Sequence, residues 1–177
     1  MTILAKVFVT TYAVGNEQGF ATGKYFDLTD FDNYDEFYTE ATEYAINVLD
    51  DEDPELCFPD YDVSGILKSY VGEHGIDPIV FDIIELQDEY DMDMVEAYLS
   101  NYYCSHKESF DEICKKAEET YIGYYENNEE YAWEWLEGSG HLDGLPSIIS
   151  GNIDIESVAR DLMLDVYESN GYYFLMH

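Results

Sequence analysis

The chain has 177 residues, of which 40 are Asp or Glu and only 7 are Lys or Arg, giving a formal net charge of −33 at pH 7. That is far beyond the magnitude of roughly 2 to 8 that keeps a small domain soluble, and self-repulsion on this scale works against a compact state, so solubility alone does not account for it. With 46% hydrophobic residues and 18 tyrosines the chain can still bury a core, which excludes a disordered acidic tail, and no apolar run approaches the roughly 18 residues of a membrane span. The N-terminal MTILAKVFVTTYAV alternates like a strand rather than forming a signal-peptide core, so a soluble cytoplasmic protein is expected.

In residues 1–62, Ile3, Ala5, Val7 and Val9 alternate with Leu4, Lys6, Phe8 and Thr10, the period of a half-buried strand. A glycine-punctuated loop, GNEQGFATG, leads to KYFDL and a second, antiparallel strand. Asn33 followed by Glu36 has the spacing of a capping box, with Asn in place of Ser or Thr, and predicts a helix over 34–49 that buries Phe37, Ala41, Tyr44 and Val48. On the same helix Glu36, Glu40 and Glu43 form a stripe about a hundred degrees round from that face. Like charges so placed cost about 0.2 to 0.5 kcal/mol per pair, and no Lys or Arg relieves them. ELCFPDYD reads as a third strand.

Residues 63–118 change to helices in series. A short one around ILKSYV precedes IVFDIIELQDEY, which opens on Asp77 as a cap and Pro78 as a first-turn proline, and MDMVEAYLSNYY and KESFDEICKKAEE follow. Lys68, Lys107, Lys115 and Lys116, four of the seven basic residues, lie here. Residues 119–177 begin with the strand-like TYIGYY and continue with a helix, NEEYAWEWLEG, stopped at Gly138; Asp154 caps IESVARDL, and Asn170-Gly171 between apolar runs is a hairpin signal. The fold class expected is α+β: an elongated chain of three small domains, made of an antiparallel sheet plus helix (1–62), a helical bundle (63–118), and a small sheet plus helices (119–177). They carry −13, −9 and −11, so the charge is distributed rather than confined to a tail.

The patterns that carry chemistry are missing. Neither DDEDPELCFPDYD nor DEYDMDMVEAYL has the central Gly and terminal Glu of an EF-hand loop, and His74, His106, His141 and His177 lack H-x-x-x-H spacing. Cys57, Cys104 and Cys114 form no C-x-x-C pair and read as buried free thiols. Gly138, Gly140 and Gly144 follow a helix, the wrong order for a phosphate-binding loop. A non-enzyme without metal or cofactor is expected. The complementary partner is a basic protein that itself binds nucleic acid, rather than nucleic acid or a membrane. Duplex DNA carries one negative charge per about 1.7 Å of axis, so 33 charges at that density span about 56 Å. A compact globule of this length is only about 40 Å across, hence the expectation of an elongated chain.

Several stretches resemble the antirestriction protein ArdA family. They are Y-x-x-G-N at Tyr12 to Asn16 with G-x-x-x-G-K-Y-F-D-L at Gly19 to Leu28; ELCFPDYDVSG at 55–65; and YIGYYENNEEYAWEWLEGSGHLDGLP, running on through NIDIESVARDL to a final G-Y-Y-F-L. Together they cover about half the chain, in its first and last thirds. Tyr25 departs from the pattern, since such proteins often have Trp there, and Lys107, Lys115 and Lys116 would interrupt a charge track if they faced outward.

The resemblance implies a curved three-domain protein of mobile elements or phages that mimics DNA. It implies dimerisation through the C-terminal domain and occupation of the DNA-binding cleft of type I restriction–modification enzymes. The carboxylates expected to stand in for phosphates are Asp27, Asp30, Asp32 and Asp35, the stripe Glu36, Glu40 and Glu43, and the run Asp50, Asp51, Glu52 and Asp53. Asp88, Glu89, Asp91, Asp93, Glu129 and Glu130 complete the set. The family's antirestriction motif falls at about Glu130 to Gly140, which makes Trp133, Trp135 and Leu136 candidates for the homodimer interface or, equally, for the core of the last domain. Alternative partners are a CRISPR effector or another DNA-binding defence protein; halophilic adaptation and an acidic chaperone are the competing explanations of the charge.

Overall fold

The computed structural model describes residues 3–101 and 108–176, and in it the N-terminal alternation becomes strand β1 (Ala5–Thr11), with Ala5, Val7 and Val9 buried. Two units divide the chain, Met1–Asp93 and Met94–His177. The first holds the N-terminal segment and the first α-helix of the middle one; the second holds most of the next helix, the last helix of the middle segment and the C-terminal segment.

The stretch read as a glycine loop instead holds a helix, α1 (Tyr12–Gln18). The Thr11 hydroxyl caps it by accepting from the Val14 N–H at 3.2 Å. Gly15 is there for packing: a Cβ at this position would sit 2.4 Å from the Phe20 ring. Strand β2 (Lys24–Asp27) pairs antiparallel with β1, placing Val7 opposite Phe26. Helix α2 (Tyr34–Val48) is capped by Asn33, whose side chain accepts from the Glu36 N–H at 3.0 Å. Its buried row is Phe37, Ala41 and Ala45, with Tyr44 half-buried. Val48, expected on the buried face, is 65% exposed, because it lies in the last turn, where no element covers it.

Strand β3 (Leu56–Val63) pairs antiparallel with the other side of β1, so the sheet order is β2-β1-β3. Pro59 falls where the register shifts, between Asp60 opposite Phe8 and Cys57 opposite Thr10. A proline is tolerated there because an edge strand at a bulge loses no ladder hydrogen bond. The core under this sheet is aromatic: Phe37 meets Phe26 edge-on at 5.9 Å and Phe31 at 5.5 Å, with Phe81 at 6.2 Å.

ILKSYV does not form an α-helix. A 3-10 turn (Gly65–Ser69) leads into a small hairpin of β4 (Val71–Gly72) and β5 (Gly75–Ile76), whose glycines favour a tight reversal over helix. Helix α3 (Ile79–Leu86) follows, with Asp77 Oδ1 accepting from the Ile79 N–H at 3.0 Å. Helix α4 (Met92–Leu99) falls on the division between the units.

In the second unit α5 (Phe110–Thr120) opens on a reciprocal capping box between Ser109 and Glu112. Strand β6 (Tyr121–Tyr124) leads to α6 (Asn128–Gly138), a short α7 (Ser147–Ser150) and α8 (Ile155–Leu162), whose Asp154 cap accepts from the Ser157 N–H at 3.2 Å. Strands β7 (Val166–Ser169) and β8 (Tyr172–Leu175) form the hairpin at Asn170 and Gly171, both with positive φ (53° and 84°), and the sheet order is β6-β8-β7. Helix α6 packs on α8, and a tyrosine cluster fills the space against the sheet: Tyr125, Tyr131 and Tyr173 lie 5.2 to 5.3 Å apart. The Tyr173 hydroxyl donates to Asn128 Oδ1 at 2.6 Å.

The fold is therefore α+β, with antiparallel sheets in both units. Among the described residues no helix is long and apolar enough to cross a membrane. Cys57 and Cys114 are buried free thiols, and burial pushes Cys114 up to about 12; Cys104 lies outside the described residues, as do His106, Lys107 and His177.

Two expectations test this packing. A Cβ at Gly23 would lie 2.3 Å from the Val9 carbonyl oxygen, so Gly23→Ala is expected to destabilise the first unit by about 1 to 3 kcal/mol in urea unfolding. Burial pushes Tyr125 up to about 12 and shifts Tyr131, Tyr167 and Tyr173 in the same direction. The folded state thus holds these phenolic protons more tightly than the unfolded chain does. Their contribution is intact below the ordinary tyrosine range near about 10 and is lost as pH rises from there through about 12. Circular dichroism should fall together with the rise of phenolate absorbance from this cluster; ionisation of every tyrosine with no loss of structure would contradict the assignment.

Candidate acidic interaction surface

Between residues 27 and 53, carboxylates reach the surface of the first unit by three routes. Those at the end of β2 and the entry to α2 (Asp27, Asp30, Asp32, Asp35) lie in turns and a first helical turn, where Asp is favoured because it accepts from free backbone N–H groups. Asp27 Oδ1 accepts from the Thr29 N–H at 3.2 Å, and its other oxygen lies 3.9 Å from the Lys6 ammonium. The helical stripe is in place, with Glu36, Glu40 and Glu43 all exposed on α2. Glu36 has a structural task as well: its Oε2 accepts from the Asp32 N–H at 2.8 Å.

The third route is the turn after α2. Asp50 takes a left-handed conformation (φ 59°), and Glu52 and Asp53 are exposed. Asp51 is half-buried; its Oδ1 accepts from the Asp53 N–H at 3.3 Å, while its buried Oδ2 has no hydrogen-bond partner. Asp60 and Asp62, which close the run free of basic residues, are exposed on β3. Asp60 accepts a hydrogen bond from Tyr25, and this bond, followed by burial, pushes the phenol up. Asp88, Glu89, Asp91 and Asp93 are exposed around the end of α3 and the start of α4, and Asp91 Oδ1 accepts from the Asp93 N–H at 3.1 Å.

In the second unit Glu129 and Glu130 are exposed in the first turn of α6. Glu130 accepts from the Glu126 N–H at 2.7 Å, and Asn127 Oδ1 accepts from the Glu130 N–H at 2.9 Å. The two lysines of α5 that could break a charge track pair with acids near them: Lys115 with Asp111, and Lys116 with Glu108 at 2.7 Å.

The candidates for the dimer interface divide. Leu136 faces inward, at 8% exposure, whereas Trp133 and Trp135 are 36% and 38% exposed, with the Trp135 ring 5.0 Å from that of His141. Leu145, Ile148 and Ile149, also in this unit, are exposed and were missed in the sequence. Their signal was an apolar pair in a four-residue helix bracketed by Pro146 and Gly151, too short to show a period.

Among the described residues no group of three or more His, Cys, Asp or Glu is arranged to hold a metal ion. What the arrangement offers is many separate carboxylates, several of them anchored through one oxygen by a backbone N–H, as Glu36 and Glu130 are while staying exposed. Comparison with curated proteins gives no match. The family model described as "Antirestriction protein (ArdA)" matches residues 7–174, nearly the whole chain. The acidic surface above is thus carried by a member of the ArdA family of antirestriction proteins, to which this chain belongs.

Proposed function

We propose that the chain is a DNA mimic that occupies the DNA-binding cleft of a type I restriction–modification enzyme and so blocks access of DNA. Membership of the antirestriction family makes a restriction enzyme the partner in general terms. The cleft and the mimicry are supported by one observation above the others. Fourteen acids stand between residues 27 and 62 without one Lys or Arg, and all those that the sequence marked as phosphate equivalents, apart from the half-buried Asp27 and Asp51, are exposed. A surface built to be merely soluble would intersperse both signs. One built to compete with DNA must present the acids alone, to Lys and Arg that otherwise hold phosphates.

The proposed assembly is a homodimer through the second unit, with Trp133 and Trp135 at the contact and Leu136 supporting them from within. Exposed indole rings are the side chains that most often anchor such contacts. Division into three functional segments, 1–62, 63–118 and 119–177, and action inside a host cell belong to the same proposal.

If carboxylates imitate phosphates, binding is the sum of many modest contacts. Inhibition of DNA cleavage by a type I enzyme should then fall steeply as salt rises and should be relieved by added duplex DNA. Changing Glu36, Glu40 or Glu43 singly to Gln should weaken inhibition less than about fivefold, since an exposed ion pair is worth about 0 to 1 kcal/mol. Changing all three should weaken it progressively while the chain stays folded, the relief of like-charge repulsion along α2 offsetting the loss of the Glu36 charge at the helix start. A single one of these substitutions that abolished inhibition in a folded protein, with little dependence on salt, would overturn the reading.

Trp133→Glu combined with Trp135→Glu should give folded monomers in sedimentation velocity. Leu136→Glu should instead unfold the second unit, because it places a charge in its interior. Dimers that persist in the double tryptophan variant would move the interface elsewhere.

A further inference from the structure

One cavity in the first unit differs from the rest of the acidic surface, because aromatic side chains shape it. It encloses about 700 Å³ and is formed by Tyr12, by Tyr34 and Tyr38 on α2, by residues 53–56 with Phe58, and by His74 with Gly75. Two of its walls are stacked ring pairs: Tyr34 on Tyr38, with centroids 5.6 Å apart and planes 23° off parallel, and Tyr12 on His74, at 6.3 Å and 24°. The second pair is fixed by a hydrogen bond of 2.6 Å between the Tyr12 hydroxyl and His74 Nδ1. Buried Leu56 and Phe58 make an apolar floor, and the exposed carboxylates of Asp53 and Glu55 lie at the rim. Glu73, next to His74 in the chain, joins Glu55 in acting electrostatically on Tyr12. Among the described residues no Lys or Arg lines the cavity.

Phosphate and carboxylate ligands are repelled from such a site, and a purely apolar one would leave the rim acids without a counter-charge. A flat cation satisfies every part of it. Guanidinium is planar, stacks on aromatic faces, is weakly hydrated and engages carboxylates through two parallel N–H groups; a lysine ammonium is a compact, strongly hydrated point charge that gains less from the ring faces. We infer that this cavity receives one arginine side chain from the DNA-binding surface of the target enzyme, as a shaped anchor within an otherwise distributed contact. The inference rests on the proposed function for the identity of the partner, though not for the chemistry of the site.

The test uses the full chain, isotope-labelled, titrated at constant ionic strength with N-acetyl-arginine amide and, in parallel, with N-acetyl-lysine amide. Saturable shifts confined to Tyr12, Tyr34, Tyr38 and His74 are expected, several-fold weaker for the lysine compound. Tyr38→Ala and Glu55→Gln should each reduce arginine binding roughly tenfold, the scale of a cation–π or charge-assisted contact. Both keep the fold, since Tyr38 is exposed at the helix surface and Glu55 acts structurally through its backbone carbonyl, which accepts from the Tyr12 N–H at 3.0 Å. Shifts spread evenly over α2 and residues 50–53, equal for the two compounds or unchanged in the variants, would overturn the site.

Inhibition of a type I enzyme supplies the second arm. Tyr38→Ala leaves the net charge untouched, so a contact of charge alone would not register it, whereas the anchor predicts a clear loss of potency. Unaltered potency in that variant would overturn the anchoring role. Selective arginine binding by a chain that inhibits no type I enzyme would overturn the proposed target and leave the cavity's chemistry standing.

Discussion

Mutual repulsion is the condition under which every part of this chain has to fold. Two like charges 4 Å apart in water cost about 1 kcal/mol, and screening at physiological salt takes over only beyond about 8 Å. With 7 basic residues to 40 acids, ion pairing cannot offset this. The cohesion comes from contacts that carry no charge, above all ring on ring: Phe26, Phe31, Phe37 and Phe81 in the first unit, Tyr125, Tyr131 and Tyr173 in the second. Such pairs contribute about 0.5 to 1.5 kcal/mol beyond their buried area. Tyrosine suits the task because it buries a large apolar face and still gives its hydroxyl a partner, as Tyr173 does with Asn128.

The acids themselves contribute to structure through the backbone. Asn33 with Glu36, Ser109 with Glu112 and Asn127 with Glu130 are three versions of one arrangement, in which a carboxylate three residues past the cap accepts from an N–H at or just before it. A negative charge at that position also meets the positive end of the helix dipole, so it stabilises its helix while remaining at the surface. A surface can therefore be made very acidic at reduced cost if the acids gather at helix starts, and in α2, α5 and α6 they do.

Signals that are local in the chain were legible in the sequence. The Asn33 cap, the Asp154 cap and the Asn170-Gly171 hairpin each depend on residues within four positions of one another, and each stands where its pattern put it. Glycine misled where it serves packing: Gly15 marks the contact of α1 with Phe20 rather than a loop. The β4–β5 hairpin escaped because two-residue strands have no period to detect. Periodicity placed Val48 on the correct side of α2, but it cannot tell whether another element reaches that turn. The same limit hid the different environments of Trp133, Trp135 and Leu136. The cavity wall of Tyr12 and His74 joins residues 62 positions apart, a pairing that only the assembled sheet and hairpin create.

The helix ends opposite those acidic starts carry a further consequence. In seven of the eight described α-helices the last turn holds no basic residue; Arg160 on α8 is the exception. Elsewhere a Lys or Arg commonly neutralises the partial negative charge, equivalent to roughly half an electron, that a helix presents at its C-terminus. Left bare, those carbonyl groups add their own potential to that of the side chains. The main chain is thus itself a source of the negative field, one that persists when carboxylates are exchanged for amides and that no titration of side chains removes.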